Sequence, residues 1–205
     1  MDETEARAAL IGTCRMLYDR RLTVSAGGNM SVRLDDGTVL ITPSGRNKGL
    51  VGPDELVKVA MDGSVLSGPK PSIETRFHLA LYRLEPGTNA IVHCHPLNCI
   101  ALTIKGMPLR CNLTPEGVLL LGSVPTIGYY TPGTQELVDA VAEMHSCQAM
   151  LMERHGAIAQ GRNLEEAFDR MEELEFQAEL SMMCAGAEDL PEQELARLGA
   201  LRWRS

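Results

Sequence analysis

Two Asp-Gly pairs, Asp36-Gly37 and Asp62-Gly63, each stand between short apolar segments, in "LDDGTVLIT" and "VKVAMDGSVLSG". Glycine takes the left-handed backbone that a tight reversal needs, so each pair predicts an antiparallel hairpin. The segments on either side have a different period. "ETEARAALIGTCRMLYDR" sets Ala8, Ile11, Met16 and Leu17 among charges at near-helical intervals, which predicts a first helix ending near Arg20. "PSIETRFHLALYRLEPG" predicts another, with Ser72 as N-cap, Glu74 in the first turn, Phe77, Leu81 and Leu84 as its apolar stripe, and Pro86-Gly87 as its stop.

Farther along, "NAIVHCHP" reads as a strand, "PLNCIALTIKG" as a short helix, and "TPEGVLLLGSVPTIGYYTPG" as a turn, an apolar strand-like run and a Gly/Pro-rich loop. "TQELVDAVAEMHS" is helical, "QAMLMERHGAIAQG" gives two strand segments around a turn, and "NLEEAFDRMEELEFQAELSMMCAG" is a long helix capped by Asn163. With 205 residues and no interdomain linker, the expectation is one α/β or α+β domain with one core. Residues from about 185 to 205 form a tail that either orders over the active site or stays mobile. In it, Trp203 is open to a role as lid residue or oligomer contact.

Acidic residues outnumber basic ones, 27 to 19, for a formal charge of -8. Nucleic-acid affinity rests on clustered Lys and Arg, so that class of partner is excluded. Apolar runs such as "VLLLGSVP" fall far short of a bilayer span, and "MDETEARAAL" is acidic where a signal peptide is basic. The expectation is a cytoplasmic protein with no membrane partner. Six cysteines without a CxxC pair, in a chain this long, point to reduced buried thiols.

Chemistry concentrates in "AIVHCHP". Alternation along a strand turns His93 and His95 to one face and Val92 and Cys94 to the other. His155, at the turn in "MERHGAIAQG", is a third imidazole able to reach the same cleft. Three histidines leave open positions on a divalent ion, the pattern of a catalytic site. Spacing alone leaves open a plain pair of hydrogen-bonded strand histidines. Glu74 is the acid/base candidate, and its other reading is a first-turn carboxylate offsetting the helix dipole. His78 and His145 fall on predicted helices with structural roles. "SAGGN" (25 to 29), "TPSG" (42 to 45) and "KPS" (70 to 72) offer backbone N–H groups and hydroxyls that suit a phosphate. Each also serves as an ordinary turn.

Taken in order, "GGNMSVR", "ITPSG", "PSIETRFHLALY", "AIVHCHP", "YYTPGTQEL" and "HGAIAQGRNLEEAF" resemble the class II sugar-phosphate aldolase family, typified by L-fuculose-phosphate aldolase. The resemblance spans residues 5 to 180 or so. It implies a single α/β domain around a mainly antiparallel sheet, flanked by helices and assembled as a homotetramer with active sites at subunit interfaces. It implies His93, His95 and His155 as zinc ligands, with Mn2+, Co2+ or Fe2+ as alternatives. Glu74 is then the catalytic carboxylate, which also touches the metal when substrate is absent. Gly28, Asn29, Ser44, Gly45 and Ser72 match positions that hold the substrate phosphate.

The implied reaction is cleavage of a ketose 1-phosphate to dihydroxyacetone phosphate and a small aldehyde. Dehydratases and epimerases on the same scaffold, and the non-catalytic adducin head, are the alternatives. Two departures stand out. Ile73 occupies the place of a second phosphate-binding serine. The family's tyrosine acid has no clear counterpart, because the matching region reads "RCNLTPEG", and Tyr129 and Tyr130 are candidate substitutes.

Overall fold

The computed structural model describes residues 1–202, so Trp203 lies outside the described residues. Both hairpins form where glycine allows them. Strand β1 (Asn29–Arg33) pairs antiparallel with β2 (Val39–Ile41), Ser31 opposite Ile41. The Leu34 N–H donates to Thr38 O at 2.8 Å across the loop, and Gly37 sits at φ 80°. Strands β3 (Val57–Val59) and β4 (Val65–Ser67) repeat this design, with Ala60 N–H on Ser64 O at 2.9 Å and Gly63 at φ 94°. Both are three-residue reversals whose last residue takes the left-handed conformation, which only glycine adopts without strain.

The remaining strands are β5 (Ala90–Cys94), β6 (Thr126–Ile127), β7 (Ala149–Met152) and β8 (Gly156–Gly161). One eight-stranded sheet results, in the order β4-β3-β2-β1-β5-β8-β7-β6, with β6 and β7 its parallel pair. Strand β5 is central. It is held by β1 on one edge, Asn29 opposite His93, and by β8 on the other, His93 opposite Ile158.

Helices α1 (Glu3–Asp19), α3 (Leu97–Ile104) and α5 (Leu164–Met183) cover one face, where Leu10, Leu17, Met30, Val92, Leu102 and Met171 pack. Helices α2 (Thr75–Leu84) and α4 (Gln135–Glu143) cover the other, over Ile41, Phe77, Leu81, Ile91, Leu137 and Ile158. Ile91 and Val92, neighbours on β5, thus serve opposite cores. The cap of α5 is Asn163, whose side chain accepts from Glu166 N–H. Helix α6 (Glu192–Arg202) lies within the C-terminal tail.

Several local expectations change. Helix α2 begins at Thr75, not after Ser72, and Glu74 occupies its cap position. Ser72 instead closes a turn, its Oγ accepting from Glu74 N–H and its carbonyl from Thr75. Leu84, expected in the stripe, is 46% exposed at the helix end. The run Gly117–Leu121 is a π-helical turn rather than a strand. Gly117, Val118 and Leu121 are buried, with Leu119 and Leu120 between the last two half-buried, so it packs with helical rather than strand periodicity. His145 lies in the turn after α4, facing Glu85 at 3.4 Å.

All six cysteines are free thiols, and Cys94 is fully buried in the core. Among the described residues, no helix is long and apolar enough to cross a membrane.

Candidate active site

The site forms where β5 ends. His93 is the last but one residue of the strand, His95 follows it, and His155 sits in the β7–β8 turn beside Arg154 at φ 55°. One ring nitrogen from each of the three lies within 4.8 Å of the others. The His95 and His93 Nε2 atoms are 3.2 Å apart. So close an approach needs room behind the rings, and glycines make it. A Cβ on Gly27 would stand 2.7 Å from His95 Nδ1, and one on Gly156 would stand 2.1 Å from Cys94 O. Gly28, at φ 69°, would drive a Cβ to 2.5 Å from His93 O.

The ring protons are assigned by their partners. His93 Nδ1 faces Ala157 O at 2.9 Å, and a carbonyl only accepts, so Nδ1 carries a hydrogen and Nε2 is the nitrogen turned to the cleft. Burial, then the neighbouring imidazoles His93 and His155, depress His95 to about 3. Burial, followed by His93, depresses His155 to about 4. Both rings are neutral at physiological pH, the form in which imidazole binds metal.

Glu74 lies against this trio. Its Oε2 is 3.3 Å from His93 Nε2 and its Oε1 is 3.5 Å from His155 Nε2. Burial pushes the carboxyl pKa up. The adjacent His93, by charge and hydrogen bond, together with Asn29 and His155, outweighs it and holds the group ionised well below the usual range. Oε1 is buried with no hydrogen-bond partner. A bare carboxylate oxygen beside three converging nitrogens is costly unless something cationic completes it. The donor set therefore fits a divalent ion held by three imidazoles.

A buried chain of hydrogen bonds stands behind Glu74. Asn29 and Ser31, two apart on β1, face α2, where Glu74, His78 and Tyr82 recur every four residues and so stack above one another. An ionised carboxylate can only accept, so Asn29 Nδ2 donates to Glu74 Oε2 at 2.7 Å. Asn29 Oδ1 is then left to accept from His78 Nε2 at 2.5 Å. His78 Nδ1 must accept from Ser31 Oγ at 2.7 Å, and Ser31 Oγ accepts from the Tyr82 hydroxyl at 2.8 Å. Burial, with a smaller effect from His93, depresses His78 to about 3, which agrees with a neutral ring in this chain.

The five phosphate-suited residues meet beside the same carboxylate. Gly28, Asn29, Ser44, Gly45 and Ser72 line one cavity of about 210 Å³ with Glu74, His95 and His155. Among the described residues, neither the Gly28 nor the Gly45 N–H donates to a protein acceptor. Ser72 Oγ accepts from Glu74 N–H, so its own hydrogen remains available. Tyr129 and Tyr130 are exposed and do not line this cavity.

The sequence reading missed His78, Ser31 and Tyr82 as neighbours of the site. The signal for them was the four-residue recurrence Glu74, His78, Tyr82 on a helix facing a strand with polar residues at alternate positions. It also missed Lys48, which lines the cavity.

Residues 8–182 match the model of the class II aldolase and adducin N-terminal domain. The chain belongs to that family. The 3-oxo-tetronate 4-phosphate decarboxylase of Pectobacterium atrosepticum is 39% identical to it over 183 residues, covering 87% of this chain and 84% of that one. The L-fuculose phosphate aldolase of Methanocaldococcus jannaschii is 34% identical over 173 residues, covering 84% of this chain and 93% of the other. The crystal structure of YgbL from Escherichia coli superposes with a TM-score of 0.91 at 36% identity, covering 96% of this chain and 99% of that one. The protein is therefore an enzyme of the class II aldolase superfamily, with the family's mostly antiparallel sheet and helical layers.

Proposed function

We propose that this chain is a divalent-metal-dependent carbon–carbon lyase that cleaves a small phosphorylated keto sugar and releases dihydroxyacetone phosphate. The observation that carries the reading is the buried Glu74 carboxylate, with one bare oxygen, set between three converging imidazoles and a cavity of small-residue donors. His93, His95 and His155 would hold the ion. Zinc suits three imidazoles, and manganese, cobalt or iron suit them where geometry permits. When bound, the ion supplies a Lewis acid for negative charge building on the substrate carbonyl oxygen.

Glu74 handles the proton. In the cleavage direction it returns a proton to the carbon left electron-rich when the bond breaks, and in the synthetic direction it removes one from the same carbon. Gly28, Asn29, Ser44, Gly45 and Ser72 hold the phosphate, which fixes that carbon against the carboxylate.

Two different bonds lead to the same three-carbon product. Aldol cleavage of a ketose 1-phosphate sheds an aldehyde, and a second group must take the proton from the departing hydroxyl. Decarboxylation of a 3-oxo-tetronate 4-phosphate sheds carbon dioxide and takes up one proton from solvent, which Glu74, ionised at rest, first accepts and then passes to the carbon. The second reading is favoured by the 39% identical decarboxylase and by a cavity without a tyrosine. We retain aldol cleavage as the first, since L-fuculose phosphate aldolases also align over most of the chain.

Exposed apolar residues flank the site loops, with Val24 before the Gly27-Gly28 turn, Ile73 before Glu74 and Leu97 after His95. They support a homotetramer with its sites at subunit interfaces. A cytoplasmic location accompanies this reading.

Product analysis is the test. Metal-replete protein, given ketose 1-phosphates and 3-oxo-tetronate 4-phosphate in turn, should form dihydroxyacetone phosphate with either an aldehyde or carbon dioxide. Products that keep the substrate's whole carbon chain would show a dehydratase or epimerase and overturn the lyase reading.

A further inference from the structure

The cavity beside Glu74 contains a charge that the hydroxyl and N–H donors do not provide. Lys48 is the one cationic residue among those lining it, apart from the neutral imidazoles. It is 2% exposed, in a short 3-10 turn directly after the "TPSG" loop. Its Nζ donates to Ala26 O at 3.0 Å and to Arg46 O at 2.8 Å. Those carbonyls belong to the two loops that carry Gly28 and Gly45. Lys48 thus ties together both halves of the small-residue cradle from beneath.

Two carbonyl acceptors leave one ammonium hydrogen unused, and Glu74, which lines the same cavity, acts on the charge only at longer range. Among the described residues no carboxylate lies within ion-pair distance of Nζ. The nearby Arg46, by contrast, is already paired to Glu55 at 2.8 Å. A buried, unpaired ammonium is unfavourable unless an anion meets it.

We infer that Lys48 supplies the positive charge of the anion subsite and determines affinity for the substrate's phosphate. The inference rests on the reading that the substrate is phosphorylated. It also answers a deficit: Ile73 lines the same cavity, 54% exposed, where the resembling aldolases place a second serine. A charge-assisted contact of roughly twice the strength of a neutral one replaces the missing hydroxyl.

The probe is inorganic phosphate, titrated calorimetrically into the metal-replete protein. Lys48→Gln keeps an N–H donor for the loop carbonyls and removes the charge, while Lys48→Met removes both. Wild type should bind phosphate, and the Gln variant should bind it about tenfold more weakly or worse while melting close to wild type. In turnover, KM for the phosphorylated substrate should rise with little change in kcat. Unchanged phosphate affinity in a folded Gln or Met variant overturns the inference.

Should both variants fail to fold, the wild-type Lys48 side-chain NMR resonance decides, because it must move on phosphate addition and a stationary signal refutes the assignment. Wild type that binds no phosphate removes both this inference and the phosphorylated-substrate reading. Phosphate binding that depends on Lys48, in a protein that releases no dihydroxyacetone phosphate, removes only the proposed reaction.

Discussion

His78 makes the protein acid-sensitive in a calculable way. Folded, its ring is fully buried, hydrogen-bonded to Ser31 and Asn29 as the neutral form, and depressed to about 3. Unfolded, it titrates near 6.5. Between those values the unfolded chain binds the extra proton, so stability from this group is complete above about pH 6.5 and is lost as pH falls. Near pH 5 the loss amounts to about 2 kcal/mol relative to pH 7.5.

The comparison is wild type against His78→Gln, both in chelator, by urea unfolding near pH 7.5 and near pH 5. The variant starts lower, because one buried partner is left unsatisfied at a cost of about 1–3 kcal/mol. It should nevertheless lose about 2 kcal/mol less on acidification. Equal losses in the two would show that His78 does not resist protonation and would refute the directed hydrogen-bond chain built on its neutral ring.

Glu74→Gln should lower turnover by at least about a hundredfold while metal content by elemental analysis stays unchanged. Near-normal turnover would remove Glu74 from proton transfer. Gly28→Ala must place a Cβ 2.5 Å from His93 O at a positive φ. It should destabilise by about 1–3 kcal/mol in thermal melts and weaken metal retention, and wild-type behaviour in both assays would contradict the close packing of that loop. Chelation should abolish activity without loss of the circular-dichroism spectrum, and a divalent ion should restore it. Full activity in protein shown to be metal-free would exclude the three-imidazole centre from catalysis.

Much of this was legible because the determining interactions are local. Asp36-Gly37 and Asp62-Gly63 announce reversals that depend on a few residues each, and Asn163 announces the start of α5 through a hydrogen bond three residues long. His93 and His95 could be placed on one face because strand alternation is a fixed geometry. What the sequence hid depends on partners far along the chain. The π-helical turn at Gly117–Leu121 is decided by packing against α5, where a Cβ on Gly117 would lie 2.9 Å from Gln177. Ser72 looked like a cap because Ser-x-Glu is a common helix start. It forms a turn two residues early, and that turn seats Glu74 beside His93. Nothing local marks Lys48, because only the meeting of two loops buries it.

The central position of β5 has a practical consequence for handling this enzyme. His93 comes from a strand laddered on both edges, so its backbone can open only when the neighbouring strands separate as well. Its amide should rank among the slowest to exchange with solvent. With His93, His95 and His155 as the proposed ligands, metal-free protein should keep that template, and loading an ion should be an association step rather than a refolding reaction.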